Sequence, residues 1–114
     1  KTLRLVREHA DWWNVHVGHV DRVPELREQV GDARVSIQKM IAFVPDEASR
    51  ARVTETTLKR FGYSSPVIGT GPEIVEYFAG LEAQGVERTY AWFCDFADPD
   101  TLAAFGTEVI GALA

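Results

Sequence analysis

The sequence predicts an α/β protein assembled from parallel βα units. Segments rich in β-branched and aromatic residues alternate with segments whose apolar residues recur at helical spacing. The run Met40–Val44 is apolar on both faces, as in a sheet covered on both sides. Helix starts are marked by prolines, at Pro24, Pro72 and Pro99, where the missing N–H costs nothing.

The elements follow in order. Leu3, Val6 and Ala10 share one face of a helix over 2–10, with Arg4, Arg7 and Glu8 off it. Residues 12–17 turn to large and β-branched side chains and read as a strand. Gly18 and the polar residues 19–21 read as a loop. A helix opens near Pro24, with Glu25 beside its positive end, turns Leu26 and Val30 inward and stops at Gly31. Val35, Ile37, Ile41 and Phe43 share one parity of the next strand, interrupted only by Lys39. Asp46 is placed to cap a helix that ends at Gly62, with Ala48, Ala51, Leu58 and Phe61 as its inner face. Residues 63–68 read as irregular or as a short strand. The segment 69–73 (GTGPE) is a sharp helix start, with Pro72 at the first helical position. Ile74, Phe78 and Leu81 follow at i, i+4, i+7, and Gly85 ends that helix. Residues 89–96 form an aromatic strand, and Asp98-Pro99 starts a last helix with Leu102, Phe105, Val109 and Leu113 inward. No linker interrupts residues 1–114, which read as one domain.

Composition removes several function classes. The chain has 114 residues, 46% hydrophobic and 25% charged, an ordinary globular balance. No apolar run approaches the ~20 residues of a membrane helix. The formal charge of −5 argues against non-specific nucleic-acid binding, which needs clustered positive charge. A single cysteine, Cys94, excludes an intrachain disulfide and suits a reducing, cytoplasmic setting. The first residues already read as helix, show no signal-peptide pattern, and the only methionine is Met40. The expectation is a piece of something longer, because strands this apolar carry little to protect an open sheet edge.

Four blocks, in order, carry a family resemblance. They are LRLV at 3–6 with ADWWN at 10–14, GTGPE at 69–73 with its helix, GVERTY at 85–90 with its strand, and DPDTL at 98–102 with Phe105, residues 108–110 and Leu113. Together they resemble the C-terminal part of the luciferase-like flavin- or deazaflavin-dependent monooxygenases, across nearly the whole chain. The resemblance implies a (β/α)8 TIM barrel, incomplete here, of which this chain would supply about strands six to eight. It implies oxidation or reduction of a small organic substrate with FMN or a deazaflavin coenzyme. It also implies a homo-oligomeric parent, and a missing N-terminal barrel half or another copy as this segment's partner.

In such barrels the chemistry lies at the C-terminal ends of the strands. The resemblance places Trp13 against the flavin, where an indole offers a flat apolar wall and one N–H donor. Its neighbour Trp12 points the other way, toward packing. His16 and His19 lie at and beyond a strand end, where imidazole can orient a carbonyl or relay a proton at physiological pH. As surface-loop residues they would do neither. His-x-x-His with no adjacent carboxylate or cysteine cluster is a poor metal signal. The resemblance also implies the barrel-top position for Asp95, where it would face substrate. Cys94, with Asp95 as its nearest charge, reads as a buried structural thiol rather than a nucleophile. The Gly-rich segment 69–73 lacks Gly-Lys-Ser/Thr, so it reads as helix capping before it reads as an anion site. Asp95, Asp98 and Asp100 match no cation-loop pattern.

Two functions compete. One is a fragment of a flavin or deazaflavin oxidoreductase, inactive by itself. The other is a non-catalytic α/β module that self-associates through open sheet edges.

Overall fold

The computed structural model describes residues 1–114. Its order is α1 (Thr2–His9), β1 (Trp12–Val15), α2 (Val23–Val30), β2 (Arg34–Phe43), α3 (Arg50–Phe61), β3 (Val67–Gly69), α4 (Gly71–Ala83), β4 (Arg88–Phe93), α5 (Pro99–Phe105) and α6 (Gly111–Leu113). A π-helical turn, Gly106–Ile110, joins α5 to α6. The mixed α/β class is as the alternation predicts. β1 and β3 both run parallel to β2, and β4 also pairs with β2.

The chain divides into two compact units, residues 1–38 with 80–90, and residues 39–79 with 91–114. In the first unit β2 has a partner on each edge. Arg34 N–H donates to the Asp11 carbonyl on one side, and Val35 C=O accepts from Glu87 N–H on the other. Glu87 also returns a carboxylate oxygen to Val35 N–H at 3.2 Å. Trp13 stands opposite Val35, and Asn14 opposite Ser36. The buried Ser36 hydroxyl is satisfied by the Asn14 amide oxygen at 3.2 Å. α1 buries no residue completely; Leu3, Val6 and Ala10 are half-buried. Trp12 lies between two guanidiniums, Arg34 at 4.3 Å and Arg88 at 3.9 Å from its ring. Val30 is fully buried and Leu26 half-buried on α2. Gly31 ends α2 at φ 66°, a conformation that costs L-residues energy but not glycine.

The second unit has three layers. Ile41 and Phe43 of β2 pack with Ile74 of α4, Phe105 of α5 and Val109 of the π-turn. Met40 and Ala42, on the opposite face, pack with Val53 and Phe61 of α3, Ile68 of β3 and Cys94. The run Met40–Val44 is thus buried on both sides, as its unbroken hydrophobicity predicts. A closed barrel carries helices on the outside of its sheet only and fills the inside with side chains. Here α3 covers the face opposite α4 and α5.

Several boundaries move from the sequence reading for identifiable reasons. β1 ends at Val15 because His16 caps a 3-10 turn over Val17–Arg22, where a loop was expected. Lys39 does not break β2: its ammonium reaches the Ser65 carbonyl at 2.7 Å. Asp46 caps a 3-10 turn, Glu47–Ser49, ahead of α3. The inner face of α3 is Val53, Thr57 and Phe61, while Ala48, Ala51 and Leu58 are exposed. β4 stops at Phe93, since Phe96 and Ala97 both turn to φ 62°. In the last helix Phe105 and Val109 are buried as expected, whereas Leu102 and Leu113 are exposed.

Candidate functional site

Parallel α/β sheets expose backbone groups and loop side chains at the C-terminal ends of their strands, and ligands collect there. In the second unit those ends frame a cleft of about 380 Å³. Its floor is Ala42, Phe43 and Pro45, where β2 gives way to the turn before α3. One wall is α3, which presents Arg52, Thr56 and Arg60 at i, i+4, i+8. The other wall is the loop after β4, with Cys94, Asp95 and Asp98, and Thr101 of α5.

The loop after β4 is rigidly specified. Asp95 accepts from Ala97 N–H at 3.1 Å, and Phe96 N–H donates to the Phe93 carbonyl. These bonds hold two consecutive non-glycine residues in the left-handed region, a costly arrangement that recurs at functional sites. Asp98 caps α5 through the N–H groups of Asp100 and Thr101. Cys94 is buried, and burial first, then the Asp95 charge, pushes its thiol pKa up. Both effects suppress the thiolate, in keeping with a structural role.

The structure places the sequence candidates differently from one another. Asp95 is exposed on the cleft wall. Trp13 is half-buried in β1 of the first unit and enters none of the chain's aromatic pairs. His16 accepts from Gly18 N–H through Nδ1 at 3.1 Å, which makes it a turn cap. His19 lies in that same turn, its ring 5.8 Å from that of His16. A second cavity in the first unit, about 420 Å³, is lined by Asp11, Asp32 and Arg34, at the opposite ends of β1 and β2 from these histidines.

The segment 69–73 closes on itself. Glu73 takes both Thr70 N–H, at 2.8 Å, and the Thr70 hydroxyl, at 3.2 Å. Arg50 then bridges Glu73 and Glu47. The Arg50 guanidinium, aided by Thr70 N–H, holds the Glu73 carboxyl below its ordinary range. The start of α4 therefore already carries its own anion.

Sequence reasoning missed Arg52, Thr56 and Arg60. The available signal was their i, i+4, i+8 spacing, one position before the buried Thr57 and the half-buried Val53 and Phe61. It was obscured because alanines and Leu58 were assigned to the inner face. No family model matches this sequence, and no curated protein matches it.

Proposed function

We propose that this chain is part of a luciferase-like oxidoreductase that acts on a small organic substrate with FMN or a deazaflavin coenzyme. The observation that carries the reading is the cleft at the C-terminal ends of β2 and β4, with Asp95 on its wall. That is the end of the strands at which barrel and open α/β enzymes do chemistry. Its volume suits a small organic molecule. The ordered resemblance of the four sequence blocks supplies the cofactor class. Trp13 fits the role of flanking the ring, because it is half-buried and its indole is not stacked on another aromatic. When bound, such a coenzyme supplies hydride or oxygen chemistry, and the protein binds, orients and excludes water. Asp95 is the candidate that lines the cleft of the second unit, while Trp13 belongs to the first unit and lines neither cavity. His16 and His19 rank below both, since His16 spends Nδ1 on the backbone.

The test is a fluorescence titration with FMN and with a deazaflavin coenzyme. The 114-residue chain alone is expected to leave both signals unchanged at micromolar concentration, because it carries only part of the ring's surroundings. A longer protein that carries it as its C-terminal part is expected to bind one of them, and Trp13→Ala to weaken that binding at least tenfold. Micromolar binding by the isolated chain, or none by the longer protein, overturns the proposal.

A second reading has its own observation. β1, β3 and β4 each pair only with β2, and β4 alternates exposed with half-buried residues. Tyr90 in the first unit is 53% exposed, and Trp92 in the second is 48% exposed. Open edges with aromatic side chains favour strand pairing with another copy. Light scattering decides: a dimer dissociated by Trp92→Lys supports the self-associating module, and a monomer at all concentrations removes it.

A further inference from the structure

We infer that the strand-end cleft of the second unit holds an anionic group (phosphate, sulfonate or carboxylate) between the guanidiniums of Arg52 and Arg60. The inference rests on reading this cleft as a ligand pocket and adds the chemistry of what enters it. Several other arginines are committed elsewhere. Arg50 is bound to Glu47 and Glu73, and Arg34 to Glu87 and Trp12. Arg52 and Arg60 enter none of the chain's ion pairs or side-chain hydrogen bonds, yet both line the cleft. With Thr56 between them they form one ridge of α3, two fork-shaped donors flanking a hydroxyl. A guanidinium matches the paired oxygens of an oxyanion, and charge-assisted bonds of this kind are the strong ones.

The opposite wall sets where the anion sits. Asp95 and Asp98 are anchored to backbone N–H groups, so neither is free to cross to the arginines. They repel an anion near them and accept hydrogen bonds from donors. The ligand class is therefore a small organic molecule, anionic at the α3 end and carrying hydroxyl or amine donors at the Asp95 end.

The test is titration of the whole chain with inorganic phosphate, followed by nitrogen–proton NMR of backbone amides and arginine side chains. Ionic strength is matched with chloride throughout. Saturable shifts are expected at Arg52 and Arg60 and in the 95–98 loop. Arg52→Gln and Arg60→Gln should each weaken binding by about tenfold or more, the scale of a lost charged hydrogen bond. Asp95→Asn should tighten it several-fold by removing a repulsive charge. Arg27→Gln, at another uncommitted arginine in the first unit, should leave it unchanged. All four are partly or fully solvent-accessible, and far-UV circular dichroism confirms that each variant folds. Shifts that do not saturate, that spread over the chain's arginines at large, or that persist in Arg52→Gln and Arg60→Gln overturn the inference. So does weaker binding by Asp95→Asn. Arginine-dependent phosphate binding by this chain, with neither flavin nor deazaflavin bound by a longer protein that carries it, would keep this site and remove the oxidoreductase reading. Flavin binding by the longer protein with no arginine-dependent anion binding would do the reverse.

Discussion

At Trp12 two guanidiniums lie within 4.3 Å of one indole, and each also binds a neighbour: Arg34 the Glu87 carboxylate, Arg88 the Tyr90 hydroxyl. Such contacts contribute about 0.5–1 kcal/mol apiece at accessible sites. Adding the apolar area of a half-buried indole, Trp12→Ala should cost about 2–3 kcal/mol in urea unfolding. Trp12→Phe should recover part of that. His16 makes the complementary case. Its imidazole caps the turn after β1, so His16→Ala should lose about 1 kcal/mol, while His16→Asn, a good capping residue, should lose little. A loss of enzyme turnover in His16→Asn without loss of stability would instead restore the proton-relay role. Neither function was readable beforehand. The sequence shows an aromatic pair and a histidine at a strand end, but not which charges fold back upon them.

At the scale of elements, the strongly patterned ones were legible and the weakly patterned ones were not. β2 and α4 were found because Ile41, Phe43 and Ile74 keep strict periodicity and are buried accordingly. Gly85 marks the end of α4 because its φ of 97° is nearly closed to other residues. Gly85→Ala should therefore cost about 1–2 kcal/mol. On α3 only Phe61 of the expected inner face packs inward; Ala51 and Leu58 are exposed, and Val53 and Thr57 take their place. The only fully buried side chain of α3 is the polar Thr57, and its alanines carry no directional signal. The arginine ridge was lost with that face. Since α3 buries so little, its amides should exchange with solvent faster than those of α4, which buries Ile74 and Leu81. The link from α3 to the start of α4 runs through Arg50 and Glu73. The folded state lowers the Glu73 pKa from its ordinary 4.5. That contribution to stability is complete above 4.5 and is lost as pH falls through the depressed value. Glu73→Gln should flatten the acid limb of the stability–pH curve, and an unchanged limb would contradict the assignment.

For the molecule as a whole, the α/β class and the parallel pairing were written in the alternation of segments. The extent of the sheet was not, because a sequence does not state what occupies an edge. β4 pairs on one side only, and its exposed Tyr90 and Trp92 lie on a strand with nothing paired beyond it. In the second unit α3 covers the face opposite α4 and α5, burying Met40 and Ala42. The open edge is accounted for if these residues belong to a larger barrel whose remaining strands pair with it; the α3 layer is not, since a barrel carries helices on one face of its sheet only. The resemblance pointed to Trp13 and Asp95, whereas the arginine ridge emerged only from the geometry. Intact-mass spectrometry of the natural gene product tests the proposed parentage most directly. The account predicts a protein with roughly 140 or more additional residues, the remainder of a barrel of about 250. A natural product of 12.7 kDa, the mass of this chain alone, would contradict it.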